Sequence, residues 1–307
     1  MTNIKKFRNF YSFYNKLKLV NPSNYLKSKK FIKKQKIEYF EIAEEICKII
    51  LHLEKKWKIK KYYSINSYNS LCIETIKEQF YLKKFGTYKS IKENIKNEEL
   101  YNSLSKMKVY LLGLMLSQIF WFSHFKIISF YKNKVKNFNK KKFLEVGSGH
   151  GLLSKYLLEN NKKNEGTICD ISQQSLNLTK KVINYKKHKS KIKFIKKDFF
   201  KFKNKDKFDF IILGEVIEHV RKPKKFLVKA KKLLKPNGQI FVSTCSNCAQ
   251  VDHLYHFKNI DKIKSLLKKT NFKIKYELIS PSENIPKKFW QKEKIAINYC
   301  AILNNSK

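Results

Sequence analysis

The stretch Phe143-Leu144-Glu145-Val146-Gly147-Ser148-Gly149-His150-Gly151-Leu152-Leu153 constrains this chain more than any other. It reads as a short buried strand, a turn carrying three glycines, and a helix that begins near Leu152. Glycines at 147, 149 and 151 let the backbone turn sharply and approach a ligand with no Cβ in the way. The helix start then aims free N–H groups at whatever docks there. The spacing is not that of a dinucleotide site, because G-x-G-x-x-G needs a glycine where this chain has Leu152. Glu145 agrees with that exclusion. A carboxylate two residues before the first glycine suits a ligand carrying an ammonium and would repel a pyrophosphate.

The surrounding pattern fixes the fold class. From Lys142 onward, strands at 142–146, 166–170, 192–196, 208–213, 239–244, 272–279 and 294–303 are expected. Between the first five and before the sixth lie helices at about 152–161, 173–187, 222–234 and 259–270, with Pro236-Asn237-Gly238 as a turn. Alternation of this kind predicts an α/β, Rossmann-like, doubly wound seven-stranded sheet, its last strand antiparallel. Residues 1–140 read instead as helices: Ile37 to Trp57, about Leu71 to Phe85 with Gly86 as C-cap, one from near Ser90 into Val109–Phe122, and Ser123 to Asn137. Two domains are expected, a helical N-terminal cap or substrate region over 1–140 and a ligand-binding domain over 141–307. Within the cap, Gln118, Trp121 and His124 each read singly as core residues, and together as the wall of a substrate pocket.

Two further acids fall where this architecture grips ligands. Asp170 closes the second strand in Thr167-Ile168-Cys169-Asp170-Ile171-Ser172, where an acid accepts hydrogen bonds from a ribose diol. Asp198 follows the third strand, where it can accept from an adenine amine beside Phe199. With Phe208-Asp209-Phe210-Ile211-Ile212-Leu213-Gly214-Glu215-Val216-Ile217-Glu218-His219-Val220 and Leu233-Leu234-Lys235-Pro236-Asn237-Gly238, these motifs make residues 142–303 resemble the class I S-adenosylmethionine-dependent methyltransferases. The resemblance is to the branch of ubiquinone-pathway O-methyltransferases and small-molecule methyltransferases. It implies S-adenosylmethionine as cofactor, with Glu145, Gly147, Ser148, Gly149 and Gly151 at its methionine end. Asp170 and Ile171 would lie at the ribose, Asp198 and Phe199 at the adenine, and Leu213 and Gly214 near the sulfonium. The fourth strand lacks a following Asn/Asp-Pro-Pro-Tyr/Phe, which argues against methylation of nucleic-acid amino groups.

For the chemistry, His219, His253 and His256 are the candidate bases, since each lies on a segment expected to face the crevice. Glu215, Glu218 and His219 stand at i, i+3 and i+4. A similar Glu-x-x-Glu-His with a later histidine binds a divalent metal in RNA 3′-end 2′-O-methyltransferases, so Glu215, Glu218, His219 and His253 form a candidate metal set. Cys245-x-x-Cys248 with His253 and His256 is too tight for the usual zinc finger.

Charge bears on the acceptor. The chain carries 68 basic against 24 acidic residues, a net charge of +44, and only Arg8 and Arg221 are arginine. Nucleic-acid grips favour arginine, so the lysine excess, with inflated Asn, Ile, Phe and Tyr, reads as base composition. The leading expectation is methyl transfer to an oxygen or carbon of a small or medium-sized metabolite. RNA 2′-O-methylation and a non-catalytic cofactor-binding regulator are the alternatives. Six scattered cysteines and no secretory signal predict a cytoplasmic location. The apolar run Val109–Phe122 is shorter than the roughly 20 residues a spanning helix needs, and a buried helix is expected there.

Overall fold

The structure, a computed structural model, describes residues 5–94, 101–160, 163–186, 190–283 and 285–305. The N-terminal part consists of α1 (Arg8–Val20), α2 (Pro22–Ile32), α3 (Ile37–Lys56), α4 (Tyr63–Phe85), the one-turn α5 (Lys89–Lys92), α6 (Leu104–Phe120) and α7 (Phe122–Val135). In α3, Ile42, Ile46, Ile49, Ile50 and Leu53 recur at helical spacing and are buried. Each such aliphatic side chain contributes about 1.5–3 kcal/mol on leaving water. Gly86 ends α4 in the left-handed conformation, with its N–H on the Leu82 carbonyl. Asn21 breaks α1 from α2: its side chain accepts from the Asn24 N–H at 3.0 Å, and Pro22 opens the new helix.

The rest alternates: β1 (Lys142–Val146), α8 (Leu152–Asn160), β2 (Glu165–Asp170), α9 (Gln173–Ile183), β3 (Ile192–Lys196), β4 (Phe208–Gly214), α10 (Pro223–Leu233), β5 (Leu234–Ser246), α11 (Ile260–Lys269), β6 (Phe272–Pro281) and β7 (Ile297–Asn305). They form one seven-stranded sheet in the order β3-β2-β1-β4-β5-β7-β6. Strands β1 to β5 run parallel, and β7 lies antiparallel between β5 and β6. This is the doubly wound sheet the alternation predicts, with the order reversing between β1 and β4, where such sheets hold ligands. Pro236-Asn237-Gly238, expected as a turn, is instead absorbed into β5 as an irregularity: Phe208 pairs with Leu234 and Phe210 with Gln239.

The core does not divide at residue 140. Phe10, Ile46, Leu116 and Ile128 from the helices belong to one buried cluster with Phe143, Phe210, Phe241 and Ile302 of the sheet. A polar tie adds to it. Lys155 of α8, 2% exposed, is bonded to Glu45 of α3 at 2.9 Å and to Glu159 at 2.6 Å. The apolar run 109–122 forms most of α6, which meets α7 at an 83° bend, and among the described residues no single helix is long and apolar enough to cross a membrane.

Candidate active site

A cavity of about 580 Å³ opens at the carboxyl ends of β1, β2 and β4, and α6 and α7 line its other side. The glycine loop forms one wall. Gly147, Gly149 and Gly151 all have positive φ (69°, 50° and 73°). A Cβ on Gly151 would stand 2.8 Å from the Thr179 Cα, whereas one on Gly149 would meet nothing within 4 Å. Gly151 is therefore spent on packing α8 against α9, and Gly149 keeps space open.

Glu145, next to last in β1, is fully buried, accepts from the Ser154 hydroxyl, and among the described residues pairs with no lysine or arginine. Burial, with a smaller push from Asp170, raises its pKa to about 8 against the opposing Ser154 hydrogen bonds. Asp170 tethers the loop: Oδ2 accepts from the Ser148 N–H at 2.8 Å and Oδ1 from the Ser172 N–H at 2.8 Å. Beside it Ile171 is half exposed and lines the cavity. Asp198 caps a short 3-10 turn through the Phe200 N–H at 2.8 Å. Phe199 sits mainly in the core against Phe226, with ring centroids 4.5 Å apart, and Phe200 is the more exposed ring at the cavity. Of Leu213 and Gly214, the first is buried in the core and the second lines the cavity.

Beyond β4 the expected helical face does not form. Glu215 adopts the left-handed conformation at φ 48°, and Ile217–His219 make a 3-10 turn. A left-handed glutamate is strained, and such strain gathers at functional sites. The turn nevertheless brings Glu218, His219 and His253 together, with one ligand atom from each within 4.8 Å of the others. His219 Nδ1 faces two acceptors, the Asp252 carbonyl at 3.0 Å and Asp252 Oδ2 at 3.3 Å. His253 Nδ1 donates to the Cys248 carbonyl at 2.8 Å. Both rings thus engage acceptors through Nδ1, which leaves Nε2 as the nitrogen that could ligate a metal. Glu218 Oε1 is buried without a hydrogen-bond partner, so the donor set fits a divalent cation. Glu215 and Glu218 also approach Cys245. His256 is not among the cavity-lining residues; it bonds Asn247 at 2.9 Å and packs tilted against Tyr88. Of the three candidate histidines, His219 and His253 meet at the cavity and His256 stands apart.

Beside the expected wall stand residues that pattern alone did not assign. Gln118, Trp121 and His124 do line the cavity, and so do Tyr101, Tyr110, His150 and Asp252. Tyr110 and Tyr101 donate to Asp252 Oδ2 at 3.0 and 3.3 Å. The Ser117 hydroxyl gives its proton to the Leu114 carbonyl and so accepts from His124 Nδ1 at 2.8 Å. His150 Nδ1 accepts the Leu152 N–H at 3.2 Å. Burial holds both imidazoles uncharged, His124 at about 3 and His150 at about 4.

Residues 137–295 match the family described as "Methyltransferase domain". The chain belongs to that methyltransferase family. Its methyltransferase segment holds every sheet residue of the site, whereas α6 and α7 lie before it. The ubiquinone biosynthesis O-methyltransferase of Pelagibacter ubique is 35% identical over 103 residues, 34% of this chain and 41% of that protein. The protein of the same name from Glaesserella parasuis is 31% identical over 121 residues, 33% of this chain and 51% of its own. The chain thus spans about half the length of such relatives, or less. Among solved structures, the N-methyltransferase NodS of Bradyrhizobium japonicum with S-adenosyl-L-homocysteine covers 60% of this chain and 88% of its own, at 14% identity and a TM-score of 0.47.

Proposed function

We propose that this methyltransferase moves the methyl group of S-adenosylmethionine to a small or medium-sized metabolite. One observation carries the reading: a single cavity joins Glu145, a buried carboxyl paired with no cation among the described residues, to His219 and His253, whose Nδ1 atoms are taken by backbone carbonyls so that Nε2 is left to a ligand. The first end suits the methionine ammonium and the second an acceptor that must lose a proton. Between them Asp170 would take the ribose diol, Ile171 would flank it, and Asp198 with Phe199 and Phe200 would border the adenine. Gly214 would leave room near the sulfonium.

The sulfonium methyl is already activated, so the protein's task is in-line placement of the acceptor. Residues of α6 and α7 would act as the substrate cap over the domain beginning near 141. His219 would accept the acceptor's proton at Nε2, its ring fixed by Asp252. In place of that base role, a divalent cation on Glu215, Glu218, His219 and His253 would occupy Nε2 and supply Lewis acidity at an acceptor oxygen. A metabolite is favoured over RNA because, among the described residues, Lys197 is the one lysine or arginine that lines the cavity. The six free cysteines suit a reducing compartment, and we assign the protein to the cytoplasm.

The test uses S-adenosylmethionine labelled in its methyl group, with cell extract split into RNA, lipid and small-metabolite fractions. Label should enter the metabolite fraction, and Asp170→Ala should weaken cofactor binding by roughly 1–3 kcal/mol in calorimetry. Label confined to RNA would overturn the metabolite reading. Failure of the parent protein to bind the cofactor would overturn the reaction itself.

A further inference from the structure

Asn247 to Tyr255 follow β5 with neither helix nor strand, yet this segment carries Asp252 and His253. Irregular backbone keeps a fixed course only when neighbours hold it. Here the N-terminal helices do much of the holding. Gln79 of α4 accepts the Ala249 N–H at 3.3 Å, and Thr75 of the same helix accepts from the Gln250 amide at 2.8 Å. Ser90 of α5 donates to the His253 carbonyl, and the neighbouring Tyr88 ring packs against His253 and His256. From the other side, the Glu218 carbonyl takes the Leu254 and Tyr255 N–H groups at 2.8 and 2.9 Å.

Helix α6 holds the middle of the segment through one carboxylate. Asp252, 1% exposed, accepts at Oδ2 from the Tyr110 hydroxyl at 3.0 Å, and the same oxygen lies 3.3 Å from His219 Nδ1. Tyr101 adds a longer contact there at 3.3 Å. Burial, and then Asp252, raises the pKa of the Tyr110 phenol, so it keeps its proton and donates it. His219 Nδ1 also stands 3.0 Å from the Asp252 carbonyl. A ring held at one nitrogen by a carbonyl alone can still pivot about that contact. A second acceptor on the same edge removes the pivot and fixes where the opposite nitrogen, Nε2, points. That second acceptor is the carboxylate, and Tyr110 sets where it stands. Tyr110 is 142 positions from Asp252 and lies outside residues 137–295, so the matched domain does not supply this anchor.

Resting on the methyl-transfer reading, we propose that Tyr110 is a positioning residue for that reaction, acting through Asp252 to aim His219 Nε2 at the acceptor. The aim serves a ring that takes a proton and a ring that ligates a cation equally, since both use Nε2. The N-terminal helices then do more than cover the cavity, because one of them orients a side chain that follows β4.

The test is Tyr110→Phe in the full chain, which keeps the ring and removes the hydroxyl. With the small-metabolite fraction of cell extract as acceptor, the maximal rate of labelled-methyl transfer should fall about tenfold, the scale on which supporting hydrogen bonds act. The amount of fraction giving half the maximal rate, and the affinity for S-adenosylhomocysteine in calorimetry, should not change. In nitrogen NMR spectra of histidine-labelled protein loaded with S-adenosylhomocysteine, the His219 Nδ1 resonance should move and that of His253 should stay. Asp252→Asn should move the His219 resonance too, and adding Tyr110→Phe to it should move it no further. An unmoved His219 resonance or an undiminished maximal rate in Tyr110→Phe would overturn the proposal. So would His219 and His253 moving together, which would mark Tyr110 as packing support for the whole segment. A parent that labels no fraction would overturn the methyl-transfer reading instead, and the His219 resonance would still decide whether Tyr110 fixes the ring.

Discussion

Glu145 is held by burial in a state that costs free energy to ionise. Its folded pKa of about 8, raised first by burial, lies above the ordinary glutamate value of 4.5. Between those pH values the folded chain keeps a proton that the unfolded chain has released, so this group's contribution to stability falls as pH rises through that window. Glu145→Gln should therefore stabilise the ligand-free protein at pH 8.5, by about 2–4 kcal/mol, and change it little at pH 4.5. The same variant should bind S-adenosylmethionine weakly. Equal melting temperatures of parent and variant at pH 8.5 would refute the buried-acid account. The spacing of Glu145 from Gly147 made it legible in the sequence, as it did Asp170 and Asp198. Tyr101 was not legible, because it meets His219 from 118 residues away and no local pattern records such a meeting. Nor could spacing decide between Phe199 and Phe200, since the 3-10 turn capped by Asp198 sets which ring turns outward.

At the scale of elements, the sheet was readable nearly to its ends because buried strands and glycine or proline punctuation recur in it. The N-terminal helices were readable only where an apolar face repeats, as in α3. Helix α4 begins at Tyr63 rather than near Leu71, through a stretch rich in serine and asparagine. Glu54 of the preceding helix explains the difference. Its carboxylate accepts from the Tyr62 and Ser64 N–H groups at 2.9 and 3.0 Å, capping the new helix from outside. No helix bounds were expected before Ile37, although Asn21-Pro22 between α1 and α2 is a start signal. The tie between layers is the Lys155 cluster. Although burial opposes it, Lys155 and Lys186 hold Glu45 down at about 2. Its stabilising share is complete above pH 4.5 and is lost as pH falls towards 2. Lys155→Met fills the space but leaves Glu45 and Glu159 without their buried partner. It should cost roughly 2–4 kcal/mol in urea unfolding at pH 7, with a smaller loss at pH 3.5. A neutral outcome at pH 7 would mean that packing alone fastens α3 to α8.

The molecule as a whole shares one core between cap and sheet, so its helices and strands should unfold together. Its weak point is acid. His124 and His150 sit buried at the same cavity with values of about 3 and 4, His124 lowered by burial and then by His150, and His150 by burial. Both lie below the ordinary histidine value of 6.5. The unfolded chain takes up protons there that the folded chain refuses, so their contribution is complete above pH 6.5 and drains away as pH falls towards 4. At pH 5 each histidine should cost about 2 kcal/mol relative to pH 7.5, at about 1.4 kcal/mol for each pH unit crossed. Urea titrations at the two pH values should therefore give a single transition whose midpoint drops at pH 5. In His124→Gln the drop should shrink by about 2 kcal/mol, one histidine's share, because the amide can still bond Ser117 but takes no proton, while His150, His253 and His256 remain lowered. A parent whose midpoint is the same at both pH values would show that these imidazoles are not held uncharged. A His124→Gln drop as large as the parent's would exonerate His124 in particular and trace the acid sensitivity to other groups.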